Sequence, residues 1–144
     1  MLFRSFARDS LAAALEAIGV AYHHELELGG RRTARRDSTN TAWRSASFRG
    51  YADHMETTGF ADALGWLREL ARVRRTAILC AEAVPWRCHR QLIADALVAR
   101  GEDVTHILGA ARVDPHQLSA HAHQVLPGGQ LRYPAGPAEQ IALC

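Results

Sequence analysis

Apolar positions in this chain fall into blocks with helical spacing, separated by short apolar runs and one long polar stretch. Leu11, Leu15 and Ile18 share a helical face. Asp9 or Ser10 can cap that helix and Gly19 can end it, so a helix is predicted from Leu11 to Ile18. Val20 to Tyr22 reads as a short strand. Gly29 to Arg49 lacks periodicity and is rich in Gly, Arg, Ser, Thr and Asn. It predicts a long loop, and such loops in compact domains are often functional. A short helix is predicted around Tyr51 to Met55. A stronger one runs from Gly59 to Arg72 behind Thr57 or Thr58, with Phe60, Leu64, Leu67 and Ala71 as its stripe.

Thr76-Ala-Ile-Leu-Cys80 predicts a buried strand. Arg90 to Arg100 predicts a helix with Leu92, Ile93, Ala96 and Leu97 inward and Gly101 at its end. Asp103 to Leu108 predicts another strand, which would complete a right-handed crossover between parallel strands. Asp114-Pro115 reads as the start of a short helix, Pro127-Gly-Gly129 as a turn, and Leu131 to Tyr133 as a small edge strand. These elements predict a three-layer α/β sandwich around a short, mostly parallel sheet, with a cleft at the strand carboxyl ends. Residues 1–144 are expected to form a single domain.

Composition narrows this picture. At 144 residues and 48% apolar content the chain can bury a core. It has no run near the roughly 18 apolar residues of a membrane span. The first nine residues lack the apolar stretch and cleavage site of a secretory signal. Three cysteines do not suggest a disulfide-stapled secreted domain, and a cytoplasmic setting is expected. Cys144, the last residue, is expected to fray. The net charge of +2 selects no partner. All 17 basic residues are arginine. Arginine suits phosphates and carboxylates, although a GC-rich genome explains the same bias.

The chemically loaded segment is Cys80-Ala-Glu82-Ala-Val-Pro-Trp-Arg-Cys88-His89-Arg90. On the predicted framework it joins the end of a strand to the start of a helix. Ligands of open α/β sheets bind there, and helix N-termini favour anions and thiolates. Three chemistries fit. Cys88 is a nucleophile or redox thiol, with His89 or Glu82 moving protons and Arg90 holding an anionic substrate. Cys80, Cys88 and His89 bind zinc, with Glu82 as general base or with no catalysis at all. Or the site only binds an anion such as phosphate or a nucleotide. The plain alternative is a core Cys80, a Glu82–Arg90 pair and a packed His89. Fragments of the zinc-deaminase pattern occur here too. In those enzymes the two elements belong to separate helices, whereas here they are nearly contiguous. No cofactor is named by these residues.

The run Leu79-Cys-Ala-Glu82, then Cys88-His-Arg90-x-Leu-Ile-Ala, then Gly101-x-x-Val104-x-His106-Ile107 resembles the signature of the bacterial and archaeal family called domain of unknown function 488. Upstream, Leu28-Gly-Gly-Arg31, Asn40-x-x-Trp43-Arg44 and Ser47-Phe-Arg-Gly-Tyr51-Ala-Asp53 resemble the family's middle section. The resemblance implies Cys80, Glu82, Cys88, His89 and Arg90 as catalytic candidates. It implies Gly30, Arg31, Asn40, Trp43, Tyr51 and His106 as substrate-binding candidates. It implies no reaction. Family members usually begin with a strand–helix–strand segment that this chain lacks, so it is expected to be N-terminally short, with exposed strand edges. A second copy is expected to cover those edges in a homodimer.

Arg31, Arg32, Arg35, Arg36, Arg44 and Arg49 interleave with Trp43, Phe48 and Tyr51. Arginine with stacked aromatics is one way to hold single-stranded nucleic acid, which gives an alternative function as a nucleic-acid binding or accessory module. The near-neutral charge favours a solvated loop anchored by its aromatics. His116, His121 and His123 read as solvated, with no carboxylate or cysteine completing a metal set. His23 is expected near the cleft from a strand end. His106, on the second predicted strand, fits either the cleft or a hydrogen-bonded core position.

Overall fold

The computed structural model describes residues 8–82, 84–124 and 128–135. Among the described residues four helices carry the framework: α1 (Arg8–Ala17), α2 (Ala46–His54), α3 (Thr58–Val73) and α4 (Arg90–Val98). Each starts or stops where the sequence supplies a reason. Ser45 accepts the Phe48 N–H at the start of α2, and Thr57 accepts the Phe60 N–H at the start of α3. Gly19 (φ 77°) and Gly101 (φ 86°) take the left-handed conformation just past α1 and α4. Single 3-10 turns form at Leu26–Leu28 and Pro85–Arg87.

The core lies among α2, α3 and α4. Tyr51, Ala52 and Met55, then Phe60, Ala63, Leu64 and Leu67, then Leu92, Ile93 and Ala96 meet Leu28, Leu131 and Tyr133. The α3 and α4 stripes are buried as their periodicity predicts, apart from Ala71, which is exposed, and Leu97, which is half-buried. Helix α1 contributes no buried residue, and Ile18 is 72% exposed.

The strands depart from expectation. Among the described residues there are two small antiparallel pairs: β1 (Thr105–Gly109) with β2 (Arg112–Pro115), and β3 (His123–Gln124) with β4 (Leu131–Arg132). The fold is mixed α/β, but among the described residues neither a mostly parallel sheet nor a three-layer sandwich forms. Among the described residues the segment from Thr76 to Cys80 joins no strand ladder, and Leu79 is 59% exposed. Val20 to Tyr22 is likewise unpaired. The crossover fails because strand β1 turns back at once onto β2, pairing His106 with Asp114 and Ile107 with Val113. A tight local hairpin closes a shorter loop than a parallel partner would require. Asp114-Pro115 therefore ends an edge strand, where the missing proline N–H costs nothing, instead of starting a helix. The edge strand predicted near Leu131 forms as β4. Gly128 and Gly129 take positive φ in the turn before it. Pro127 and Cys144 lie outside the described residues.

Candidate functional site

The Cys80–Arg90 segment folds back on itself as a loop. Cys80 follows a stretch that forms no strand among the described residues, so the junction joins loop to helix instead of strand to helix. Arg90, the first residue of α4, fastens the loop at both ends. Its Nη2 donates to the Glu82 carbonyl, and its Nε donates to Cys88 Sγ at 3.4 Å. The Arg90 backbone N–H reaches the same sulfur at 3.5 Å, and His89 Nδ1 lies 3.5 Å from it. The Glu82 backbone N–H donates to Cys80 Sγ at 3.5 Å. Cys88 is buried, at 4% exposure, and Cys80 is half-buried.

Burial alone would push the Cys88 thiol up. The hydrogen bonds from His89, from the Arg90 backbone and guanidinium, and from Cys80 outweigh it and hold Cys88 at about 6. Cys80 moves the opposite way. Burial raises it, and so does its hydrogen bond to the Cys88 sulfur. The pair is thus arranged as one thiolate beside one thiol. The two sulfurs and a His89 ring nitrogen also lie within 4.8 Å of one another, a donor set that a soft ion such as zinc accepts.

Two of the expected binding residues meet this loop. At Gly30 a β-carbon would fall 2.8 Å from His89 Nδ1, so only glycine leaves the imidazole its place. The ring of Tyr51 packs 5.1 Å from that of His89, and its hydroxyl donates to the Leu28 carbonyl at 2.8 Å. Burial raises the Tyr51 phenol above its ordinary range, so it stays protonated. Arg31, beside Gly30, is exposed and holds a positive φ of 59°.

Asn40 and Trp43 have other partners. Asn40 is wholly buried; its Nδ2 donates to Asp53 Oδ1 (2.7 Å) and Glu56 Oε2 (2.9 Å), and its Oδ1 accepts the Tyr133 N–H (2.8 Å). Trp43 packs against Phe48 and Tyr133. The arginine-rich loop spends much of its charge internally. Arg32 donates to the carbonyls of Gly29 and Leu26, Arg49 to those of Trp43 and Arg44, and Arg35 pairs with Asp37, Asp53 and Glu56. Its aromatics are core anchors, as the bland reading of that loop has it. His23 packs edge-on against Trp66.

A second polar cluster went unread in the sequence. His116 is not solvated. Its Nε2 lies 2.6 Å from Asp95 Oδ1, and its Nδ1 lies 2.8 Å from His106 Nε2. Asp95, fully buried on α4, also accepts the Ser119 N–H (3.0 Å) and the Tyr133 hydroxyl (2.8 Å). The one available signal was an aspartate set among Leu92, Ile93 and Ala96 on an inward helix face, which must find donors there.

A family model described as domain of unknown function DUF488 matches residues 2–97, which is 96 of the chain's 144 residues. The match includes Gly30, Tyr51, the whole Cys80–Arg90 loop and Asp95; His106 and His116 lie beyond it. No curated protein and no solved structure matches the chain.

Proposed function

This chain belongs to the DUF488 family, and from that premise we propose that it is a small enzyme, or enzyme-like binder, for an anionic and phosphate-bearing substrate. The convergence of donors on Cys88 Sγ carries this reading: two Arg90 N–H groups and His89 Nδ1 within 3.5 Å of one buried sulfur. Cys88 is the nucleophile. Its Sγ bonds to the substrate's electrophilic atom, the bond to the leaving group breaks, and the leaving group takes a proton from His89. A guanidinium carries five N–H donors. Arg90 spends two on Cys88 and Glu82, and the others can hold an anion beside the start of α4. Gly30 and Tyr51 lie against His89, and the neighbouring Arg31 is the further residue that would meet the substrate. Asn40 and Trp43 hold the surrounding fold.

Paired free thiols fit a reducing compartment, which supports a cytoplasmic setting. Among the described residues no helix is long and apolar enough to cross a membrane. The core draws on residues from Leu28 to Tyr133, which supports one domain acting as a unit. Exposed Ile107 and Val113, paired on the β1–β2 hairpin, support a homodimer.

Native mass spectrometry of anaerobically purified protein, followed by iodoacetamide at neutral pH, tests the thiol reading. The expected result is a bare mass and one fast-reacting thiol that is absent in Cys88→Ser. A zinc increment lost in that variant would replace the nucleophile with a metal site. Thiol reactivity and nucleotide binding unchanged by Cys88→Ser would end the proposal.

A further inference from the structure

Asp95, His116 and His106 form a continuous chain of short hydrogen bonds, and its geometry fixes the protons. The Asp95 carboxylate can only accept, so His116 Nε2 carries a hydrogen towards Oδ1. Neutral His116 then has a lone pair on Nδ1. His106 must donate into it from Nε2, across 2.8 Å. That leaves His106 Nδ1 as an acceptor, and among the described residues no hydrogen bond engages it.

We propose that Asp95–His116–His106 is a proton relay whose entry point is His106 Nδ1, supplying a second acid–base group anchored on the helix that begins at Arg90. A proton arriving at His106 Nδ1 releases the hydrogen on His106 Nε2 to His116 Nδ1. His106 ends as the neutral Nδ1–H tautomer. His116 ends as an imidazolium whose Nε2–H still faces Asp95. One proton enters, no bond between heavy atoms changes, and the charge comes to rest against a fully buried carboxylate. His106 acts on the substrate; His116 and Asp95 are positioning residues.

The surroundings favour that direction of transfer. The groups acting on His106 are Arg90 and Asp95 from α4, Asp114 across the hairpin, and His116. Burial, His116 and Arg90 disfavour charge on His106 itself, and they outweigh Asp114 and Asp95. His116, by contrast, has the buried Asp95 carboxylate 2.6 Å from its Nε2 to receive the charge. The Tyr133 hydroxyl and the Ser119 N–H fix the Asp95 carboxylate, so it cannot rotate away from His116. Asp95 stands on the same helix that begins with Arg90, and Arg90 is near enough for its charge to act on His106. These two facts link the relay to the thiol site.

The inference rests on the Cys88 reading only for what the proton serves; the relay can be observed in the free protein. Long-range nitrogen–proton NMR of the imidazole rings, from pH 5 to 8.5, gives the tautomers directly. At high pH both rings are expected as Nε2–H. On uptake of one proton, His106 switches to Nδ1–H while His116 becomes the imidazolium, with one shared midpoint. His106→Gln, at a half-buried strand position, should abolish the shared midpoint. A neutral His106 that is Nδ1–H at high pH, or two rings that titrate independently, would overturn the relay. An inert Cys88 with the tautomer switch intact would instead sink the nucleophile and leave the relay standing.

Discussion

Gly30 and His89 approach so closely that a β-carbon on residue 30 would fall 2.8 Å from the imidazole Nδ1, the atom that also faces Cys88 Sγ at 3.5 Å. Gly30→Ala therefore displaces the ring from the sulfur without touching the sulfur. The core residues stay in place, so the fold should persist. The pH midpoint of Cys88 alkylation should rise by about one unit, equal to ~1.4 kcal/mol of lost thiolate stabilisation. Iodoacetamide rates across pH, beside circular dichroism, check this. An unchanged midpoint in a folded variant would show that His89 does not govern Cys88.

Arg90 makes a stronger demand on the same sulfur. It supplies a backbone N–H and a guanidinium N–H, and only the second is lost in Arg90→Gln. Wild-type alkylation should rise through about pH 6. In Arg90→Gln the midpoint should climb towards the ordinary thiol value of about 8.5. Arg90→Lys keeps the charge but not the fork that joins Glu82 to Cys88, and should fall between. The fold holds the thiolate, so its contribution to stability is full above the unfolded value of about 8.5. That contribution is lost as pH falls through about 6. The urea midpoint of wild type should therefore drop more between those pH values than that of Cys88→Ser.

Helices α1, α3 and α4 and the loaded loop were legible because their signals are local, whereas α2 starts at Ala46, inside the stretch expected to be loop, behind a Ser45 cap that its polar sequence hides. Thr57 caps α3, Gly101 closes α4, and the α3 and α4 stripes are spaced by the helix itself. Cys80, Glu82, Cys88, His89 and Arg90 are neighbours in sequence, so their convergence required little of the fold. The strands were not legible, because a strand is defined by its partner. Thr76 to Cys80 has the composition of a buried strand and no ladder, while Arg112–Pro115 has a turn-like sequence and pairs with β1. The Asp95–His116–His106 chain joins residues 10 and 21 positions apart, and no spacing rule links them. Gly30 was placed in the site by resemblance; its physical reason, room for an imidazole, needs coordinates.

The proposed homodimer rests on what the hairpin leaves uncovered. Ile107 is 68% exposed and its cross-strand partner Val113 is 60% exposed. A two-stranded hairpin is marginal by itself in water, and a second copy would bury this pair. Sedimentation at micromolar concentration should give a dimer, and Ile107→Lys with Val113→Lys should convert it to monomer. A wild-type monomer would refute the homodimer.

Asp53 should make the fold sensitive to acid. Its carboxylate ties the polar loop to α2. Oδ1 accepts Ser38 Oγ and Asn40 Nδ2, both at 2.7 Å, and Oδ2 accepts the Arg35 N–H at 2.8 Å. Burial opposes ionisation, but the bonds from Ser38, Asn40 and the Arg35 backbone outweigh it, with help from the Arg35 charge, and the carboxyl lies below its ordinary value. A group lowered in the folded state stabilises it above the unfolded value, about 3.9 for aspartate. That stabilisation is lost as pH falls through the folded value. Wild type should therefore lose stability progressively below about pH 4. Asp53→Asn cannot accept at two oxygens, and its amide would face the Arg35 N–H or the Ser38 and Asn40 donors. It should cost about 3 kcal/mol at neutral pH and flatten the acid dependence. Urea denaturation at pH 7 and pH 3.5 separates the two effects. A variant as stable as wild type at pH 7 would mean that the Asn40–Asp53 network does not hold the loop.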